Sequence, residues 1–247
     1  MKCDEVLEIA GVEVKVFRKS NLKNLYIHVD PPKGAISVKA PYGYESSEIK
    51  LFVLKNLPEV IRVKDRFEAQ SRQTKREYVS GEAHYLWGKP YKLQVVYGSK
   101  KPSICKSGLK LVMQVPDGTS TEERKRLLTE WYRGELKRAL QTASKCCEQK
   151  TGVSANEFRI KNMKTKWGTC NIVEKRIWIN LQLVKKPPEC LEYVLIHELV
   201  HLLEKNHTKR FQALVEASCP SWENAKALLQ AMPLDYMDDT MAVADVD

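Results

Sequence analysis

The segment from residue 191 to residue 203 constrains the fold more than any other part of the chain. It is apolar on most sides, as a buried helix is, yet it contains His197, Glu198 and His201. Unpaired polar groups are costly to bury, so these three side chains need partners inside the protein. Residues four positions apart share one face of an α-helix, which brings the two imidazoles together. The sequence therefore predicts a buried helix whose two histidines bind a shared partner, for which a metal ion is the first candidate.

The order of these residues, His-Glu-x-x-His, is that of a catalytic zinc site on a helix. Zn²⁺ accepts imidazole nitrogens at about 2.0–2.1 Å, and a catalytic site combines three protein ligands with one open position. In such a site Glu198 would hold and deprotonate a water molecule in the open position. The spacing therefore predicts Zn²⁺ as the cofactor, His197 and His201 as ligands, and Glu198 as the general base.

The third metal ligand has two candidates in the sequence. Three of the five histidines cluster at this motif, and His207 is the first candidate. Asn206 tolerates a left-handed conformation and can turn the chain back toward the helix. Glu216 is the alternative, because carboxylates are also zinc ligands. The remaining histidines, His28 and His84, lie in segments without ligand spacing and are expected to be structural.

Apolar periodicity predicts the other elements. Alternating residues indicate strands over much of the N-terminal half, with turns at Gly and Pro. One helical segment interrupts these strands, and Pro58 is expected to break or kink it. A long helix follows, in which Thr119 and Glu122 have capping-box spacing, and it is expected to end at Thr151-Gly152. The sequence therefore predicts the α+β class.

These patterns divide the chain into three predicted regions. Residues 1–117 form a β-rich N-terminal region with one helical segment, residues 118–234 form the domain with the metal motif, and residues 235–247 form an acidic flexible tail. Strands predicted at residues 158–162 and 176–180 come just before the motif. Such strands are well placed to bind an extended substrate at a sheet edge.

Composition and charge limit the classes of molecule that the protein is expected to bind. The chain has 41 Lys and Arg against 31 Asp and Glu, a net charge of +10. A basic surface suggests nucleic acid or another acidic partner, and a solvated surface that merely keeps the protein in solution is an equal alternative. No stretch approaches the ~20 apolar residues of a membrane span, and the N-terminus lacks the apolar core of a signal peptide. Seven cysteines without a C-x-x-C pair indicate reduced thiols, so a cytoplasmic protein without a membrane partner is expected.

Several short motifs, weak separately, occur together and in order. They are Ala40-Pro41-Tyr42-Gly43, Gly81 through Tyr91, Trp167-Gly168-Thr169-Cys170, Ile179 through Leu183, Tyr193 through His201, and Asn206-His207 with Phe211. In this order they resemble the YgjP-like zinc metallopeptidases, relatives of the SprT-like and Wss-type proteases. The chain departs from the family at Gln212, where Trp is frequent, and at Thr169, where Ser is usual. Neither position is a ligand or the base.

The resemblance implies a small zincin-like metallopeptidase domain preceded by a β-rich region. It implies zinc at His197, His201 and His207, with Glu198 as the catalytic base. The chain is then a zinc metalloendopeptidase acting on protein or peptide substrates. The looser relation to SprT-like enzymes, which cut proteins crosslinked to DNA, adds DNA and DNA-bound proteins as candidate partners.

A nucleic-acid-binding protein with a structural zinc and no peptidase activity is the alternative. A structural zinc site is closed by four protein ligands. Among the cysteines only Cys170 is a candidate for the fourth, if the fold brings it near the motif. The number of donors at the site therefore separates the two functions.

Overall fold

The computed structural model describes residues 3–30, 34–69, 76–163 and 166–231. The chain divides into two compact units after Lys75, and each is described by itself. Within the described residues, no helix combines the length and apolarity needed to cross a membrane. The predicted acidic tail, residues 235–247, lies outside the described residues.

The first unit is a four-stranded sheet followed by one helix. Its elements are β1 (Glu5–Ile9), β2 (Val12–Arg18), β3 (Tyr26–Asp30), β4 (Ala35–Ala40) and α1 (Ser46–Ala69). The strand order is β1-β2-β4-β3, in which the β2–β4 pair is parallel and the other two pairs are antiparallel. Alternate residues of the strands are buried with one side of α1, which gives this unit its own small core.

The expected break at Pro58 is absent, because α1 continues through it from Ser46 to Ala69. Proline removes one intrahelical hydrogen bond. Val53 and Val60 are buried on either side of Pro58 in the core of this unit. Packing of both halves on the sheet therefore outweighs the lost bond.

The second unit begins with another four-stranded sheet followed by a long helix. Its first elements are β5 (Ala83–Leu86), β6 (Lys89–Val96), β7 (Ser103–Ser107), β8 (Lys110–Gln114) and α2 (Thr121–Thr151). The order is β5-β6-β8-β7, again with a parallel central pair between two antiparallel pairs. Strand order, pairing directions and the following helix thus repeat those of the first unit, although the sequence did not reveal a repeat.

The first hairpin of each sheet uses the same turn. Ala10 and Gly11 have φ of 50° and 76°, and Trp87 and Gly88 have φ of 49° and 78°. Two consecutive residues with positive φ fit the two-residue turn that matches the twist of antiparallel strands. The repeated architecture therefore extends to the backbone conformation of the turn.

The ends of α2 are capped much as its sequence suggests. The capping box is formed by Ser120 and Glu123, one residue after the predicted pair, because the Thr119 hydroxyl donates instead to the Pro116 carbonyl at 2.7 Å. Gly152 ends the helix in the left-handed conformation, with φ 70°.

The rest of the second unit is a three-stranded sheet with three helices. Its elements are β9 (Glu157–Lys161), β10 (Gly168–Asn171), β11 (Arg176–Asn180), a 3-10 turn (Leu181–Lys185), α3 (Pro188–Val200), α4 (Lys209–Ser218) and α5 (Trp222–Ala231). The order is β10-β11-β9, with an antiparallel β10–β11 hairpin and a parallel β11–β9 pair. Strand β10 therefore lies at an edge. The predicted α+β class is confirmed.

One hydrophobic core spans the second unit. Leu93 and Met113 of the second sheet belong to the same buried cluster as Leu136 of α2 and Leu195 of α3. The buried Arg124 also ties α2 to the beginning of the unit, donating to the Tyr78 carbonyl at 2.8 Å. The observed division therefore falls after Lys75 rather than at residue 117/118, where it would cut through this core.

The second hairpin turn supports the start of α3. The Trp87 and Gly88 amides donate to the carbonyls of Val184 and Lys185 at 2.8 and 3.2 Å. A Cβ on Gly88 would lie 2.8 Å from Cγ of Pro187, the residue before α3. Only a glycine therefore allows this close approach, which fixes where the helix with the metal motif begins.

His84 is a buried histidine of β5. Its side chain is 5% exposed, its Nε2 atom lies 3.1 Å from Oε2 of Glu82, and its ring stacks on Tyr78. Burial, reinforced by the charge of Arg76 and opposed by Glu82, lowers the pKa of His84 to about 4. His84 is therefore neutral in the folded protein at pH 7.

Replacing His84 with Gln should flatten the pH dependence of stability. The unfolded chain binds this proton with a pKa near 6.5 and the folded chain near 4. The unfolded state thus holds more protons between these values, and stability is lost as pH falls through this window, by about 3 kcal/mol. Urea unfolding from pH 4 to 7 should give a smaller slope for His84→Gln than for wild type. Identical slopes would contradict the assignment.

Candidate metal site

The two motif histidines lie at the C-terminal end of α3. This helix begins at Pro188, a residue suited to the first helical turn, and nine of its thirteen residues are buried. His197 lies on its last turn, and His201 is the residue that caps it. Their ring centroids are 5.0 Å apart. The helical spacing therefore places both imidazoles on one face, as the sequence predicts.

His207 reaches the same place from the loop between α3 and α4. Its Nε2 atom lies 3.0 Å from Nε2 of His197, and one nitrogen of each of the three histidines lies within 4.8 Å of the others. Tetrahedral ligands with metal–nitrogen bonds near 2.0–2.1 Å are about 3.3 Å apart. The three imidazoles are thus close to the spacing that one metal ion requires.

Phe211 forms an apolar base beneath the three rings. It is buried on the first turn of α4, and its ring centroid lies 4.9, 4.7 and 4.7 Å from those of His197, His201 and His207. Thr208 caps this helix by accepting a hydrogen bond from the Phe211 amide at 3.2 Å. The cap and the aromatic ring together hold the His207 loop against α3.

His197 and His201 are in the neutral form that metal binding requires. Burial, with the neighbouring His201, His207 and Lys226, lowers the pKa of His197 to about 4. Burial also lowers the pKa of His201. Nδ1 of His201 lies 3.3 Å from the Glu204 carbonyl, which fits a tautomer with its proton on Nδ1 and a free lone pair on Nε2. Neutral imidazoles with inward lone pairs fit a bound metal.

Glu198 lies one position from a candidate ligand and is itself 6% exposed. It packs directly on Gly168 of β10, where an added Cβ would lie 2.7 Å from Oε1. Burial raises the pKa of Glu198 to about 7, and the Lys166 charge opposes this shift. The carboxyl group can therefore both accept and release a proton near neutral pH.

Asn180 organises the loop that leads to β10. It is buried at the end of β11, and its side-chain amide donates to the carbonyls of Met163 and Lys166 at 2.9 and 2.7 Å. Its Oδ1 atom accepts from the amides of Met163 and Gln182 at 3.2 and 3.1 Å. These contacts fix the segment that carries Lys166 and Trp167 beside Glu198.

A cavity of about 570 Å³ surrounds these groups. Its wall is built from α3, α5, β10 and the loops that flank them: Lys166, Trp167, Gly168, Thr169, Cys170, Ile172, Tyr193, Val194, His197, Glu198, His201, Lys205, His207, Lys226 and Leu229. Tyr193 contacts the His197 ring by its edge and stacks on Trp222, which connects α5 to the histidines. The site is thus open to ligands on one side and packed on the core on the other.

The alternative ligands do not join the histidines. Within the described ranges, the one group of His, Cys, Asp and Glu side chains able to hold a metal is His197, His201 and His207. Glu216 is exposed on α4, and Cys170 lines the cavity without belonging to the group. The described residues therefore offer three donors.

Some contributors were not identified from the sequence. The sequence alone indicates no role at the site for Gly168, Asn180 or Lys226. Phe211 follows His207 by four residues, and this short separation is the signal in the sequence that it could lie near that candidate ligand. The others depend on contacts between distant segments.

Comparison with known proteins identifies related sequences. The sequence model of the family described as "YgjP-like, metallopeptidase domain" matches residues 23–232. Among solved structures, the metallopeptidase zymogen of Pyrococcus abyssi abylysin aligns with 24% identity over 36% of this chain and 87% of that chain, with a TM-score of 0.33. No curated protein sequence matches significantly.

His207→Ala and Glu216→Ala should separate the two candidates for the third ligand. Loss of the His207 imidazole leaves two nitrogen donors, so Zn²⁺ affinity should fall more than about 100-fold. Glu216→Ala should bind one Zn²⁺ like wild type, because Glu216 lies outside the histidine group. Competition with a chelator and elemental analysis measure both. Full affinity in the first variant and loss in the second would move the ligand to Glu216.

Proposed function

The chain belongs to the YgjP-like metallopeptidase family, and we propose that it is an endopeptidase with one zinc ion bound by His197, His201 and His207. The observation that carries this proposal is the convergence of three imidazoles beside a buried glutamate in an open cavity. Imidazole nitrogens in a tetrahedral set are a preferred environment for Zn²⁺. Zinc is therefore the metal to test first.

The residues of the site divide the work of hydrolysis. When bound, Zn²⁺ supplies a Lewis acid that polarises the scissile carbonyl and lowers the pKa of water toward about 7. Glu198 accepts the proton of the attacking water and donates it to the leaving amine, so one water molecule is added across the peptide bond. A pKa of about 7 suits both transfers. Gly168 keeps the carboxyl group in place.

The donor count favours catalysis over the structural alternative. Three histidines come together in the described part of the chain, and Cys170 is outside that group. A structural zinc is closed by four protein ligands, whereas a catalytic zinc leaves one position for water or substrate. The peptidase is therefore preferred to a nucleic-acid-binding protein with a closed zinc site.

Strand β10 is the proposed docking edge for the substrate backbone. It pairs with β11 on one side and ends the sheet on the other, and Thr169 and Cys170 line the cavity. An extended peptide can add to such an edge through backbone hydrogen bonds. This arrangement would hold the middle of a chain, as an endopeptidase requires.

Net charge and cysteine chemistry bear on the substrate and the location. A net charge of +10 supports a search among DNA-bound proteins, and casein cleavage with and without duplex DNA tests that class. All seven cysteines are free thiols, which supports a reducing compartment such as the cytoplasm.

Glu198→Gln tests the proposed function directly. The amide cannot accept the proton, so casein cleavage should fall at least about 10³-fold, while one Zn²⁺ per chain is retained. Cleavage is followed by release of soluble peptides, and metal by elemental analysis of the same samples. Cleavage at the wild-type rate would exclude Glu198 as the base, and a metal-free wild type unable to regain activity with Zn²⁺ would contradict the proposal.

Gly168→Ala tests whether close packing positions the base. The added methyl group would lie 2.7 Å from Oε1 of Glu198, so the carboxyl group must move. We expect kcat to fall about 10- to 100-fold with unchanged zinc content, because small misplacements of reacting groups are costly. Gly134→Ala in α2 is the control, since its nearest neighbour would be 3.8 Å away. Equal activity of both variants would remove this role from Gly168.

A further inference from the structure

The cavity around Glu198 is lined by three lysines from three separate segments. Lys166 precedes β10, Lys205 lies in the loop after α3, and Lys226 lies on α5. Glu198 is the one carboxyl group among the described residues of the wall. Three ammonium groups therefore accompany a single carboxyl group in this wall. The cavity is therefore strongly cationic.

Two of these lysines belong to segments that adjoin the candidate ligands and Glu198. Lys226 Nζ lies 5.5 Å from the centroid of the Trp222 ring, which stacks on Tyr193, and the edge of Tyr193 contacts His197. Lys166 comes two residues before Gly168, which packs on Glu198. An anionic group bound in the cavity would therefore lie beside the proposed metal site.

Within the described residues, the three cavity lysines lack a carboxylate partner, in contrast to some other cations of this unit. Lys150 pairs with Glu192, and Arg210 with Glu204 at 3.7 Å. Across residues 76–163 and 166–231, no carboxylate within 4.0 Å is recorded for Lys166, Lys205 or Lys226. Unpaired like charges around one cavity produce a positive potential, which a bound anion would reduce.

We propose that this cavity selects substrates with a carboxylate next to the scissile bond. That group is an Asp or Glu side chain within the substrate, in keeping with an endopeptidase, and the free C-terminus of a peptide is the other carboxylate source that the test below separates from it. The selection rests on the proposed peptidase function, because it concerns the substrate of the same site. The wall also contains Val194, Ile172 and Leu229, which suit the methylene groups of a peptide side chain. The phosphate backbone of a nucleic acid could bind the lysines but would make no use of this apolar surface.

Paired peptides measure the preference. The first set consists of fluorogenic peptides with acetylated and amidated ends, which are neutral except for Glu, Gln or Lys placed in turn at each position beside the cleaved bond. The second set has the same sequences with a free C-terminal carboxylate. We expect kcat/KM for Glu to exceed that for Gln at least about 10-fold, and the ratio to fall in 0.5 M NaCl because salt screens the lysines. Preference in the first set identifies the side chain, and preference only in the second identifies the chain end.

Lysine variants show whether the cavity causes the preference. Lys166→Gln, Lys205→Gln, Lys226→Gln and the triple variant should reduce the Glu-to-Gln ratio, with the triple variant approaching one. Lys209→Gln is the matched control, since Lys209 is exposed on α4 and does not line the cavity. Equal rates for Glu and Gln peptides in a wild-type protein that cleaves casein would overturn the selection and leave the peptidase standing.

A binding measurement covers the case in which no peptide is cleaved. Labelled Glu and Gln peptides are added to zinc-loaded Glu198→Gln protein, and binding is followed by fluorescence anisotropy. Tighter binding of the Glu peptide that is lost in the lysine triple variant supports the selection even if the proposed catalysis fails. Equal binding of the Glu and Gln peptides overturns the proposed selection. The selection is also overturned if the lysines are needed to bind duplex DNA while the two peptides bind equally.

Discussion

Burial of α3 is the constraint on which the rest of the structure depends. The helix is surrounded by the core of the second unit, so its polar residues have little freedom in where they emerge. His197 and His201 emerge at its last turn, where the chain leaves the core, and Glu198 stays inside. The same burial keeps the imidazoles neutral and raises the pKa of Glu198. The protonation states of the two candidate ligands and of the proposed base thus both depend on how α3 is packed.

Contacts from distant segments hold this helix and its neighbours to fixed positions. At the start of α3, the turn containing Gly88 meets Pro187, and near its end Gly168 meets Glu198. Both contacts exist because a glycine lacks Cβ, so backbone and side chain can approach closely. Asn180, at the end of β11, holds Met163 and Lys166 before β10 through three hydrogen bonds. The geometry of the site is therefore determined by the sheets as much as by the motif.

Sequence reasoning succeeded where the determining interactions are local. The spacing of His197 and His201 follows from helix geometry, and the Gly152 cap follows from the conformational freedom of glycine. It failed where contacts between distant segments determine the structure. The change from strand to helix periodicity predicts a boundary at residue 117/118, whereas the second sheet shares a core with α2. The three cavity lysines are far apart in sequence, and only the fold brings them to one wall.

The repeated sheet-and-helix architecture gives two similar turns very different tolerance to substitution. The Ala10-Gly11 turn has no described atom within 4 Å of an added Cβ on Gly11, so any residue pair with the required backbone conformation would fit. The Trp87-Gly88 turn has the same conformation but also contacts Pro187. The first turn is therefore constrained by its backbone conformation alone, while the second is also constrained by its contact with the residue before α3. Related sequences should therefore diverge at the first turn and keep the glycine of the second.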